Sequence, residues 1–169
     1  MADRSAKKSS AAKRLAVKTA VLAASVFILT RLVFGVGIYR GNRMFPALRD
    51  GDLVIYSRLS ELRQGDIAAY TGPRGGIDFS RVEALAGCEV DITEQGELLT
   101  NGYAPLENIF YRTEKAEDSS MEFPLTVGEG RYFLLDDFRT EGKDSRVFGP
   151  VEKDRIRGKV IYIVRRRGF

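Results

Sequence analysis

"RGNRMFPALRDGDLVIYS", residues 40–57, holds a turn, a second turn and a strand in one short run. Met44-Phe45-Pro46 reads as a turn, because proline fixes φ and removes a backbone donor. Gly51-Asp52 supplies the next reversal, and "LVIY" is the β-branched and aromatic run that suits a pleated, half-buried surface. The same grammar repeats downstream in "GDIAAY" (65–70), "IDFSRVEAL" (77–85), "CEVDI" (88–92), "GELLTNG" (96–102), "GRYFLLDD" (130–137) and "GKVIYIVRR" (158–166). These runs are short and are punctuated by Gly, Asp and Pro, and no long amphipathic helical pattern competes with them. The fold expected is all-β and mostly antiparallel. Asn101-Gly102 is a hairpin signal, "SELRQGD" (60–66) one short turn, and "NIFYRTEKAEDSSMEF" (108–123) a long loop. There is no internal repeat.

Upstream the chemistry changes. Residues 1–18 hold six Lys/Arg against one Asp, whereas residues 40–169 hold 20 basic and 22 acidic side chains. The chain's net charge of +4 therefore belongs to its N-terminus, and a nucleic-acid surface on the β part is not expected. Residues 1–14, polar and basic, are expected to be a disordered cytoplasmic tail. "LAVKTAVLAASVFILTRLVF" (15–34) is long enough to span a bilayer. A cation at the bilayer centre costs about 2.5–3.5 kcal/mol, but Lys18 and Arg31 lie near the ends, where long side chains reach the headgroups. The organisation expected is a tail at 1–14, a transmembrane signal-anchor at 15–38 and an extracytoplasmic β domain at 39–169. A cleaved signal peptide ending at "GVG" (35–37) is the competing reading. The C-terminal "RRRGF" is a solvated end or a membrane-surface contact.

Two absences narrow the chemistry. The chain has no His, which excludes Ser-His and Cys-His catalysis and any His-ligated metal. Its one Cys, Cys88, can form no internal disulfide and reads as a small hydrophobe.

A membrane anchor followed in order by "GNRMFPALRDGDLVIYSRL", "QGDIAAY", "IDFSRVEALAG", "LLTNGYAPLENIFY", "LTVGEGRYFLLDDFR", "KDSRVFGPV" and "IRGKVIYIV" resembles bacterial type I signal peptidases over roughly residues 15–164. The resemblance implies an exported antiparallel β fold and no metal or organic cofactor. It also implies cleavage of preproteins after small side chains, by a serine nucleophile with a neutral lysine as base. Carried onto this chain, the nucleophile position before Met44-Phe45-Pro46 is Arg43, and the general-base position before Arg81-Val82 is Ser80. Gly41 stands where a residue that helps hold the oxyanion is expected. The family's Gly-Asp-Asn-Arg becomes Asp136-Asp137-Phe138-Arg139, and Asp144-Ser145-Arg146 matches its following Asp-Ser-Arg.

Arginine stays protonated in proteins and is no nucleophile, so neither family role is filled at these two positions. "SSMEFP" (119–124) resembles the missing motif, but its proline falls one residue late. Cys88 lies beside Glu89 and Asp91, which do not lower a thiol pKa. The chain is therefore expected not to be an enzyme. It is expected to be an accessory or chaperone like the degenerate members encoded with surface pili, binding a pilin subunit or a pilus sortase. Extended peptide binding is expected at Arg43, Met44, Phe45, Pro46, Asp78, Phe79 and Ser80, with Met44–Pro46 equally readable as core. Arg43 would pair with Asp78, Asp136 or Asp137, or with a partner's carboxylate. Asp136, Asp137, Arg139, Asp144, Ser145 and Arg146 form the expected supporting polar cluster. The alternatives are an active protease with rearranged groups such as Ser80, and a scaffold that partners an active signal peptidase.

Overall fold

The computed structural model describes residues 2–105, 111–115, 121–140 and 142–165, and it divides into two compact units, 1–34 and 35–169. Ser119 and Ser120, and all but Arg165 of the C-terminal basic run, lie outside the described residues.

The first unit is a helix, α1 (Ala2–Val33), whose stretch Lys13–Val33 is long and apolar enough to cross a membrane. This corrects the expectation of disorder at 1–14. Ala, Lys and Arg are good helix formers, and a helix nucleated in the apolar run propagates into them at little cost. Within the apolar stretch two hydroxyls are satisfied locally: Ser25 Oγ donates to the Val21 carbonyl and Thr30 Oγ1 to that of Phe27, both at 2.8 Å.

The second correction is at 34–38, assigned above to the anchor. Those residues form strand β1 (Phe34–Ile38), an edge of the main sheet. The "GVG" glycines are packing positions in this strand. A Cβ on Gly35 would fall 2.0 Å from the Tyr56 ring, and one on Gly37 3.0 Å from Phe79.

The remaining strands are β2 (Leu53–Ser57), β3 (Ile67–Thr71), β4 (Ile77–Ala84), β5 (Glu89–Ile92), β6 (Leu98–Thr100), β7 (Leu125–Thr126), β8 (Arg131–Leu135), β9 (Val151–Glu152) and β10 (Ile156–Val164). Seven form one sheet in the order β1-β2-β10-β3-β4-β8-β9, and β6-β5-β7 form a second. The pairings are antiparallel. The Asn101-Gly102 turn has φ values of 52° and 80°, as a hairpin of that type requires.

Strand β3 shows why the main sheet is buried at its centre. Ala68 and Tyr70 pack with Val82, Leu134 and Val151 on one face, while Ala69 packs with Met44, Val54, Tyr56 and Phe79 on the other. A third cluster joins the two sheets through Ala84, Val90, Phe133 and Leu135, with Cys88 against it.

Strand β10 pairs with β2 and β3 at once, with register shifts on both sides. Gly158 lies at one of them, with φ of 150° and a virtual Cβ 2.2 Å from the Ser57 carbonyl oxygen. Backbone cannot swing aside as a side chain can. Gly158→Ala is expected to destabilise the β body by about 1–3 kcal/mol, seen as a lower urea midpoint at unchanged slope.

Candidate functional site

The connection from β1 to β2 builds one wall of the site. Tyr39 and Asp52 hold its ends together, with Tyr39 N–H donating to the Asp52 carbonyl and Gly51 N–H to that of Tyr39, both at 2.9 Å. Inside the loop Leu48 N–H bonds the Met44 carbonyl at 2.8 Å, and Met44 N–H donates to Tyr39 Oη at 2.8 Å. Burial raises the Tyr39 pKa to about 12, so the phenol stays protonated. The Phe45–Pro46 peptide is cis. Phe138 N–H then donates to the Arg43 carbonyl at 2.8 Å, which fixes residue 43 against the segment after β8.

Arg43 reaches from this loop between two carboxylates. Its Nη2 donates to both Asp78 oxygens at 2.7 Å, and Nη1 donates to Asp136 Oδ2 at 2.9 Å. Burial opposes the charge on Arg43, but Asp136 and Asp78 outweigh it and raise its pKa. Ser80 Oγ donates to the other Asp136 oxygen at 2.6 Å and lies 3.3 Å from Tyr70 Oη. Burial, with Asp78 adding to it, raises the Tyr70 pKa. Asp136 is pushed up to about 7. Burial is the largest cause, Arg43 works against it, and Asp144 adds to it.

The choice left open for Arg43 is thus decided: Asp137 is not a partner. It pairs instead with Arg81, Nε to Oδ1 at 2.7 Å and Nη2 to Oδ2 at 2.6 Å. The expected polar cluster is also three separate devices. Asp144 caps the single turn α2 (Ser145–Phe148), accepting from Arg146 N, Nε and Nη2 and from Asp136 N–H. Ser145 Oγ accepts from Leu134 N–H at 3.0 Å. Arg139 pairs with Glu83, fully inside the body. The roles of Glu83, Arg81 and Tyr70 escaped the sequence reading, because only strand register brings them to their partners.

Beside Arg43 opens a cleft of about 580 Å³, lined by Arg43, Asp78, Ile77, Arg74, Lys143 and Phe148 among others. Of the residues expected to touch a peptide, Arg43 and Asp78 line it. Met44, Phe79 and Ser80 do not: they are at most 1% exposed, packed into the core or bonded to Asp136. For Phe79 and Ser80 that corrects their assignment to the groove, since a strand buried on both faces presents neither to solvent, whereas Met44 takes the core role that is its other reading. Phe45 is half-buried under Arg49, 5.6 Å from its ring, and Pro46 is exposed outside the cleft.

A family model described as signal peptidase, peptidase S26, matches residues 12–165. Signal peptidase I T of Bacillus subtilis (strain 168) is 28% identical over 155 residues, covering 83% of this chain and 79% of that protein. Signal peptidase I of Bacillus licheniformis is 28% identical over 156 residues, 84% of this chain and 83% of that one. Signal peptidase IB of Staphylococcus aureus is 24% identical over 164 residues, 86% and 85% of the two chains. Among solved structures, a signal peptidase I from Enterococcus faecalis V583 matches with 29% identity and a TM-score of 0.49, covering 60% of this chain and 98% of that one.

These names correct the expectation that the chain is not an enzyme. It rested on two substituted side chains, and the relatives matched along most of the chain are named signal peptidases, which are enzymes. With the match running from residue 12 to residue 165, the chain belongs to the signal peptidase family, peptidase S26.

Proposed function

We propose that this chain binds an extended segment of an exported protein in the cleft beside Arg43, as an accessory of surface pilus assembly whose partner is a pilin subunit or a pilus sortase. In this reading α1 is a single-pass anchor in a bacterial cell membrane. Its basic N-terminus stays cytoplasmic and the body from β1 onward is extracytoplasmic, by the excess of Lys/Arg on one flank. The observation that carries the reading is the Arg43 clamp: a guanidinium already held by Asp78 and Asp136 at the mouth of an open, partly apolar cleft. Peptide recognition of this kind combines main-chain hydrogen bonds with pockets for side chains.

The test is binding of a purified pilin precursor to the full chain in lipid nanodiscs. Saturable binding is expected, weakened by Ile77→Asp, which places a charge on the cleft's exposed apolar wall. No binding of pilin precursor or sortase would overturn it.

A second reading, processing of the bound segment, is favoured by one observation: the Ser80 hydroxyl sits 2.6 Å from a carboxylate that titrates near neutrality. Ser80 is fully buried, so this reading requires the cleft floor to open. A shortened precursor in the same mixture, lost in Ser80→Ala, would replace holding with cutting.

A further inference from the structure

We propose that the cleft selects segments carrying a carboxylate next to a large apolar side chain, with Arg74 and Lys143 receiving the carboxylate. This deepens the peptide-binding reading above and rests on it.

Charge supplies the first requirement. Residues 40–169 carry two more acidic than basic side chains, so a cationic cleft is a local arrangement and not a general property of this surface. Three cations line it, but they are not equivalent. Arg43 is spent: its Nη2 is bidentate on Asp78, and Nη1 bonds Asp136. The same contacts neutralise Asp78, the one carboxylate in the wall among the described residues, so it repels an incoming anion little. Arg74, in the turn between β3 and β4, and Lys143, just ahead of α2, are exposed, and among the described residues neither has an acidic partner. They therefore set the field in the cleft, and low-dielectric walls concentrate it.

Those walls supply the second requirement. Ile77 is 47% exposed, and Val147 and Phe148, which line the same cleft, are half-buried. An apolar side chain seated on Ile77 and Phe148 places its neighbour's carboxylate within reach of the two cations. A basic segment would meet Arg74 and Lys143 as like charges, and a wholly apolar one would leave them unpaired.

The experiment titrates the full chain in nanodiscs of zwitterionic lipid with fluorescent extended peptides of about eight residues. The peptides are identical except for a central Glu-Phe, Gln-Phe or Lys-Phe. The Glu peptide is expected to bind about five- to tenfold more tightly than the Gln peptide, with the Lys peptide weakest. That preference should shrink as salt rises from about 0.05 to about 0.5 M, because exposed pairs are screened. Arg74→Glu with Lys143→Glu should reverse the order. Both positions are exposed, so the fold is expected to survive, and the wild-type comparison stands without the variant. Equal binding of the Glu and Gln peptides would overturn this inference while leaving peptide binding intact. Failure of all three peptides and of the pilin precursor would overturn both readings.

Discussion

Arg139→Met is expected to lower the unfolding free energy of the β body by about 3–5 kcal/mol. Arg139 is 2% exposed and Glu83 0%, so the pair is sealed from water. Replacing the guanidinium by an apolar chain of similar length removes the Arg139 charge from beside the buried Glu83 carboxylate. Ionised, it bears the desolvation cost; protonated, it costs the free energy of taking up a proton far above its ordinary pKa. The pair joins β4 to the segment after β8, so its loss bears on the centre of the main sheet. Glu83→Leu combined with Arg139→Met removes both charges and should recover much of the loss, a non-additivity that marks direct coupling. The exposed Arg131–Glu152 pair, at 3.3 Å with both side chains about half exposed, is the control. Arg131→Gln should move stability by less than about 0.5 kcal/mol. With seven Tyr and no Trp, urea unfolding of the detergent-solubilised chain is followed by tyrosine fluorescence and near-ultraviolet circular dichroism. Equal effects at 131 and 139 would contradict the account.

That pair also marks where the sequence stops being readable. Strands such as "LVIY" and "DIAAY" announce themselves, since β-branched and aromatic residues between turn formers have few other uses. Strand β1 does not. It follows the apolar run of α1 without a break in hydropathy, and its glycines make sense only once Tyr56 and Phe79 are seen above them. β7 and β9 are two residues each, below any period a sequence can display. At the site, an arginine before Met44 among several aspartates was legible as a charge in need of a partner. Its partners, however, lie 35 and 93 positions away, and Asp137, one residue from Asp136, belongs to Arg81 instead. Adjacent residues of an extended segment point to opposite sides, so register decides which carboxylate meets which cation. The same blindness put Phe79 and Ser80 in the groove. Arg74 and Lys143 sit in connections, where no periodicity says which way a side chain faces.

Asp136→Asn is expected to remove a component of the pH dependence of stability, and the direction follows from the position of the proton. The Asp136 pKa is pushed up from 3.8 to about 7, so the folded chain holds a proton that the unfolded chain releases. Stability from this group is complete below about pH 4, declines by up to about 1.4 kcal/mol per pH unit as pH rises, and is gone above the folded pKa. Burial drives the shift. Arg43 opposes it, Asp144 and Asp78 add to it, and the Ser80 hydroxyl works against it. Asparagine keeps the shape and carries no titratable charge; its one oxygen can go on accepting from Arg43, while its amide takes the other position and donates to the Ser80 hydroxyl. The wild-type minus variant difference in unfolding free energy should therefore shrink or change sign between pH 5 and pH 8 by about 1 kcal/mol or more. Carboxylates remote from Asp136 contribute equally to both proteins and cancel. The site has a stake in this proton: Asp136 faces Arg43 as a carboxylate above neutrality and as a neutral acid below it. The negative charge behind the cleft thus falls as pH falls, and an acidic segment should bind more tightly at pH 6 than at pH 8 in the wild type, with that difference reduced in Asp136→Asn. A stability difference that stays flat across the range would mean the proton is held elsewhere, and the clamp would then be the same at every pH.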